Sequence, residues 1–181
     1  MATKTFGSEI LTSSDVNTYL ANSGTVFVQS QAVGSGVSSV TVTGCFSSTY
    51  DNYLVVYAGG TFSVSDTTLS VKFESGGLTT YYSAGLYVSF GGAGGYASNN
   101  GSSGGIGVGI TSNVGGNLNI IQIVGPYIAN YTRATGQSVG DAYKADYGGV
   151  MKTATSYSNL ILLPASGTMT GGTITVYGYR K

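Results

Sequence analysis

The sequence predicts an all-β protein: a single β-sandwich over residues 25–181, preceded by one short helix in an arm of residues 1–24. Three observations lead there. Short segments of apolar–polar alternation recur along the chain, separated by turns rich in Gly, Asp and Ser. Tyrosine and β-branched residues dominate the apolar set, with fifteen Tyr against six Phe and no Trp. Helical spacing of apolar residues occurs once, near the N-terminus.

The helix has both ends marked. Thr12 is a suitable N-cap, and Asp15 three residues on closes a capping box in place of the usual Glu or Gln. Leu11 and Val16 then stand at the two positions of a hydrophobic staple, and Asp15 suits the positive end of the helix dipole. Val16, Tyr19 and Leu20 make one apolar stripe, and Ser23-Gly24 stops the helix with a left-handed cap available at Gly24. About three turns are too few to be stable alone in water, so the stripe must be buried against something. That pattern reads as an attachment device. Its anchoring residues are Phe6, Ile10, Leu11, Val16, Tyr19 and Leu20.

Strand signals follow. Thr25 to Gln29, Val40 to Gly44 and Leu69 to Glu74 alternate, the last with Leu69, Val71 and Phe73 on one face and Ser70, Lys72 and Glu74 on the other. Tyr53 to Ala58 and Asn119 to Val124 are denser apolar runs that read as central strands. Thr80 to Phe90, Ser158 to Leu163 and Thr173 to Tyr179 complete the set, with turns at Asp51-Asn52, Ser75-Gly76-Gly77 and Ser166-Gly167. Gly91 to Gly116 reads as a long irregular stretch, of a length that is usually functional or disordered. Within it Ile106, Val108 and Ile110 alternate with Gly, which reads as a strand admitting close backbone contact.

Charge is the compositional outlier. Asp, Glu, Lys and Arg make up 8 % of the 181 residues, against about 25 % in ordinary domains. Seven acidic and seven basic residues cancel, so there is no electrostatic footprint for nucleic acid and no polybasic stretch for a membrane surface. No apolar run reaches the ~18 residues of a membrane span, and no N-terminal apolar signal region is present. Synthesis in a cytoplasm and release by lysis or assembly is the expectation. Cys45 is the single cysteine, which excludes an intrachain disulfide and reads as a small buried hydrophobe.

Catalytic chemistry finds little to work with. The chain has no histidine, which removes the commonest general base, the Ser-His-Asp and Cys-His nucleophile pairs, and His-ligated zinc. Asp51, Asp66, Glu74, Asp141 and Asp146 are the candidate carboxylates for glycoside hydrolysis. Nothing in their spacing points to a pair ~5–9.5 Å apart across a cleft. Asp141 and Asp146 flank Lys144 in a local ion-pair setting, and they lack calcium-loop spacing. Gly92 to Ala97 matches G-x-G-x-x-A, but the Ser-Asn-Gly run after it is no helix start, so a dinucleotide site is not expected. No catalytic residue, cofactor or metal is assigned. Tyr81, Tyr82, Tyr87, Tyr96, Tyr127, Tyr131, Tyr143, Tyr147 and Tyr157 cluster in the second half of the chain. Tyrosine there suits half-buried strand faces and subunit seams, or recognition of glycans and proteins.

Three stretches carry a resemblance: Leu11-Thr12-x-x-Asp15-Val16-Asn17-Thr18-Tyr19-Leu20, Phe46 to Val56, and the ending Gly172 to Arg180. Together they resemble small virion-surface proteins of tailed bacteriophages, of minor-tail, tail-fibre or capsid-decoration type. The resemblance implies a jelly-roll-like sandwich and a structural, non-enzymatic role at the virion surface. It implies contact with other virion proteins through the arm, and assembly as a homo-oligomer, a trimer before a dimer. As a tail or baseplate appendage the chain would meet a host glycan or protein. The expected recognition surface is the Gly91–Gly116 stretch with Tyr87, Tyr96, Asn99, Asn100, Tyr127 and Tyr131. As a capsid decoration protein it would reinforce the head lattice. The reading from another class is a glycan-binding module or weak glycan hydrolase. Neither nucleic-acid binding nor membrane insertion is expected.

Overall fold

The alternating segments become strands. The computed structural model describes residues 24–74, 79–140 and 142–181, which form fourteen strands and no helix. The predicted N-terminal helix, the anchoring residues Phe6, Ile10, Leu11, Val16, Tyr19 and Leu20, the Ser75-Gly76-Gly77 turn and Asp141 lie outside the described residues.

Two antiparallel sheets make up two layers. The larger runs, in spatial order, through β1 (Thr25–Ala32), β14 (Thr173–Tyr179), β3 (Asn52–Ala58), β9 (Leu118–Val124), β10 (Thr132–Val139), β11 (Tyr143–Met151), β6 (Tyr81–Ser89) and β7 (Gly94–Ser102). The smaller runs through β2 (Val40–Val42), β12 (Leu160–Pro164), β5 (Thr68–Lys72) and β8 (Ile106–Ile110). A short pair, β4 (Thr61–Phe62) with β13 (Met169–Thr170), closes one margin. The fold is thus a sandwich-like, all-β arrangement, with one core between the two inner faces.

Period-2 patterning fills that core. Tyr53, Val55 and Tyr57 on β3, Ile121 and Ile123 on β9, and Ile174 and Val176 on β14 face Val42, Leu162, Leu69 and Val71 of the smaller sheet, all of them buried. Each such side chain contributes about 1.5–3 kcal/mol of transfer free energy. The alternation read over residues 69–74 holds: Leu69, Val71 and Phe73 are buried, although Ser70 is buried too. The core tyrosines anchor turns through their hydroxyls. Tyr53 Oη accepts from Ser47 N at 2.8 Å and donates to Ser47 O at 3.0 Å. Tyr81 Oη accepts from Phe73 N at 3.2 Å, and burial pushes its pKa up to about 12. Cys45 is buried, and desolvation pushes its thiol up to about 12, which leaves almost none of the reactive thiolate at neutral pH.

Two departures from the sequence reading share one cause. The stretch 91–116, expected to be irregular, is mostly strand: β7 pairs with β6 as a hairpin, and β8 joins the smaller sheet. β10 and β11, which carry little apolar alternation, sit in the middle of the larger sheet. The inner positions of β10, and Gly149 on β11, are small because neighbouring strands come very close. A Cβ on Gly136 would overlap the Val108 carbonyl oxygen, one on Gly149 would overlap the Tyr82 carbonyl oxygen, and one on Gly109 would lie 2.5 Å from Asn119 Oδ1. Every residue of β8 is buried. The glycines between Ile106, Val108 and Ile110 therefore do admit close backbone contact, as the alternation implied.

Candidate functional site

β5 and the end of β12 stand opposite the β6–β7 hairpin, and a groove opens between them. One section, of about 310 Å³, is lined by Thr68, Ser70, Ser83, Asn99 and Tyr147 among others. An adjoining section of about 210 Å³ is lined by Asp66, Thr67, Tyr87, Tyr96 and Tyr143. Thr68, Ala97 and Tyr147 border both sections, which makes them one elongated groove. Its size is near the lower end of the ~300–1,000 Å³ range of small-ligand sites.

The register explains how the groove acquires its aromatic lining. Tyr143 and Tyr147 lie four residues apart on β11 and so share its inner face, and Tyr87 pairs opposite Ala145 between them. Tyr87 and Tyr143 meet edge to face, with centroids 5.8 Å apart at 75°. Glycine holds these rings in place. The Tyr147 ring lies where a Cβ on Gly85 would be, and a Cβ on Gly107 would stand 3.0 Å from it. Tyr87 Oη would be 2.5 Å from a Cβ on Gly95. Burial raises the pKa of the Tyr147 hydroxyl above its ordinary value, opposed by its hydrogen bond with the Thr68 side chain. Asn99 Nδ2 donates to Gly105 O at 3.1 Å, and Ser83 Oγ accepts from Gly107 N at 3.1 Å. The lining is thus rigid phenol rings, hydroxyls and an amide, with Asp66 as its one charged side chain.

The residues expected to form a recognition surface divide. Tyr87 and Asn99 come together at the groove, while Tyr96 borders it from β7 with its side chain on the outer face, opposite Leu86. Asn100 pairs with Tyr82 on the outer face of β7. Tyr127 and Tyr131 sit in the β9–β10 loop. Thr132, next in the chain, pairs with Met151 at the far end of β11 from Tyr143, so these two tyrosines lie at the opposite end of the sheet from Tyr87. Tyr143, Tyr147, Thr67, Thr68 and Ser70 were not expected. The usable signal was the i, i+4 spacing of Tyr143 and Tyr147, visible only once residues 143–151 are read as a strand.

Two of the described carboxylates are paired with lysines. Asp51 Oδ1 bonds Lys181 Nζ at 2.8 Å rather than making only local turn bonds. Asp146 pairs with Lys144 and accepts from Gln137 Nε2 at 2.9 Å, contacts that hold its carboxyl below the usual carboxylate range. Asp66 stands exposed at a φ of 62° in the turn before β5. Among the described residues no group of three or more His, Cys, Asp or Glu side chains is placed to hold a metal ion, and no helix is long and apolar enough to cross a membrane.

The outer face of the larger sheet is the second feature. β3 and β9 are central, as expected, yet they alternate between buried and exposed or half-buried positions. Their density of apolar residues comes from an uncovered face. There Val56 pairs with Ile120, Leu118 with Val139, and Leu86 with Tyr96. Leu86 is 66 % and Tyr96 79 % exposed. Lys144 and Asp146 on the same face neutralise each other.

No protein-family model matches the chain, and no curated protein matches it. Among solved structures, the infectious bursal disease virus VP2 subviral particle aligns at 13 % identity over 86 % of this chain and 40 % of that one, with a TM-score of 0.12. The chain therefore spans less than half the length of that structure, and a likeness at this level carries no argument.

Proposed function

We propose that this chain is a non-enzymatic structural protein displayed on the surface of a bacteriophage particle, as a tail or baseplate appendage or as a capsid decoration protein. In this reading the domain is a jelly-roll-like sandwich, residues 1–24 form an arm whose short helix docks on other virion proteins, and copies associate, with a trimer favoured. The three stretches that resemble phage virion proteins support it. The single structural observation that carries the reading is the uncovered apolar face of the eight-stranded sheet.

Physical size makes that face suitable for assembly. Eight strands at ~4.8 Å spacing, each about seven residues long at ~3.3 Å, give a face of roughly 34 by 23 Å. That approaches the ~800 Å² per partner of a stable protein interface. On this face Leu86, Val88, Leu118, Ile120, Val124 and Val139 are exposed on either side of the polar outer positions of β10 and β11, and exposed apolar side chains grouped in this way mark interaction sites. Its near-neutral charge lets one copy meet another without repulsion, in keeping with the closed symmetry of most homo-oligomers. Phage surface proteins follow threefold or sixfold symmetry, an analogy at family level.

Light scattering at micromolar concentration tests the association. The expected result is a trimer for the native chain, and a monomer with unchanged thermal midpoint for the double substitution Leu86→Lys and Ile120→Lys, since both positions point away from the core. A native chain that is monomeric in solution, and a double variant that still joins particles normally, would contradict the role of this face.

A further inference from the structure

We propose that the groove beneath the β6–β7 hairpin is a binding site for a short, neutral oligosaccharide. The proposal goes beyond the virion reading and does not depend on it, because the site lies wholly within one copy of the domain. It rests on the composition, rigidity and shape of the lining.

The lining is chemically selective. Tyr87 and Tyr143 supply flat, apolar rings with polar tips, which suit the C–H face and hydroxyl edge of a pyranose. Thr67, Thr68, Ser70 and Asn99 add hydroxyl and amide groups that both donate and accept, as sugar hydroxyls require. No Lys or Arg lines either section, so a phosphate, nucleotide or sulfated chain would meet no counter-charge. Asp66 would repel an acidic sugar and accept hydrogen bonds from a neutral one. The volume and the elongated outline fit a short chain of rings rather than a bulky aromatic ligand.

The groove is also built in advance. Tyr147 is fixed between Gly85 and Gly107, and it forms the floor on which both sections meet. Tyr87 is fixed over Gly95. Preorganised rings lose little conformational entropy on binding, which matters for ligands that otherwise bind weakly.

The test uses the full chain on an array of neutral and acidic oligosaccharides, with hits measured by titration calorimetry. Binding of one or more neutral oligosaccharides at millimolar or better affinity is expected. Tyr143→Ala and Thr68→Val should each weaken it about tenfold, while Tyr96→Ala, on the outer face of β7, and Tyr127→Ala, at the opposite end of the sheet, leave it unchanged. Thr68→Val keeps the shape of the side chain, so an unaltered thermal midpoint separates lost binding from lost folding. The proposal is overturned if no neutral oligosaccharide binds at 10 mM, roughly the weakest affinity worth assigning. Binding of acidic glycans alone also overturns it, as does binding that survives both Tyr143→Ala and Thr68→Val. None of these outcomes bears on whether the chain belongs to a particle.

Discussion

Gly136→Val is expected to leave the domain unfolded or barely folded at room temperature. The added Cβ would overlap the carbonyl oxygen of Val108, and the Val108 Cβ lies 2.7 Å from the same point. Backbone atoms of a buried strand cannot swing aside as a flexible side chain does, so β8 would have to move off the larger sheet. Moving β8 uncovers Ile106 and Val108, both fully buried. Overpacking of this kind costs about 3 kcal/mol or more, set against a total stability of roughly 5–15 kcal/mol. Gly148→Val is the matched control. A Cβ at Gly148 would lie 3.5 Å from Thr135 Cγ2, an ordinary contact, and valine suits a strand. Urea melts of the two variants beside the native chain decide the matter. A Gly136→Val protein that melts like the native one would mean that the sheets do not approach as closely as described.

Deleting residues 1–24 is expected to separate folding from attachment. β1 begins at Thr25 as an edge strand and pairs with β14 through its own residues, from Thr25↔Tyr179 to Ala32↔Thr173. The shortened protein keeps that ladder, so its melting midpoint should fall within about 4 °C of the native value, an effect of roughly 1 kcal/mol. Incorporation into particles should be lost. Val16, Tyr19 and Leu20, with Ile10 and Leu11, offer roughly 1.5–3 kcal/mol each when buried, and a multi-copy assembly multiplies that advantage. Sedimentation of particles assembled with the shortened protein reads the outcome. Normal incorporation would show that the arm is not the anchor, and failure to fold would show that it belongs to the core.

Where one sheet face carries large apolar side chains, the sequence was legible. Leu69, Val71 and Phe73 announced β5, and Thr173 to Tyr179 announced β14 to the residue. Where the layers approach most closely, the same pattern vanishes. Ala134, Gly136 and Ser138 line the inner face of β10 because Val108 and Ile110 lie against them, and small residues give no hydrophobic alternation to read. β7 was hidden in the same way by Gly95, Ala97 and Asn99 at its inward positions. The groove was half visible: Tyr87 and Asn99 stood out by type, whereas Thr67 and Thr68 come to it only through the pairing of the smaller sheet. The apolar density of β3 and β9 was read as core. They are central and core-facing through Tyr53, Val55, Tyr57, Ile121 and Ile123, and their other apolar residues, Leu54, Val56, Ile120 and Val124, stand on the outer face that the proposed assembly would cover.

Immunogold labelling of purified particles, carried out with antibody against residues 25–181, tests the proposed role most directly. The account predicts gold on the outside of intact particles at repeated, symmetry-related positions on tail, baseplate or head, and none on particles made without this chain. Intact particles that carry no label, with the protein remaining in the soluble fraction of the lysate, would contradict it.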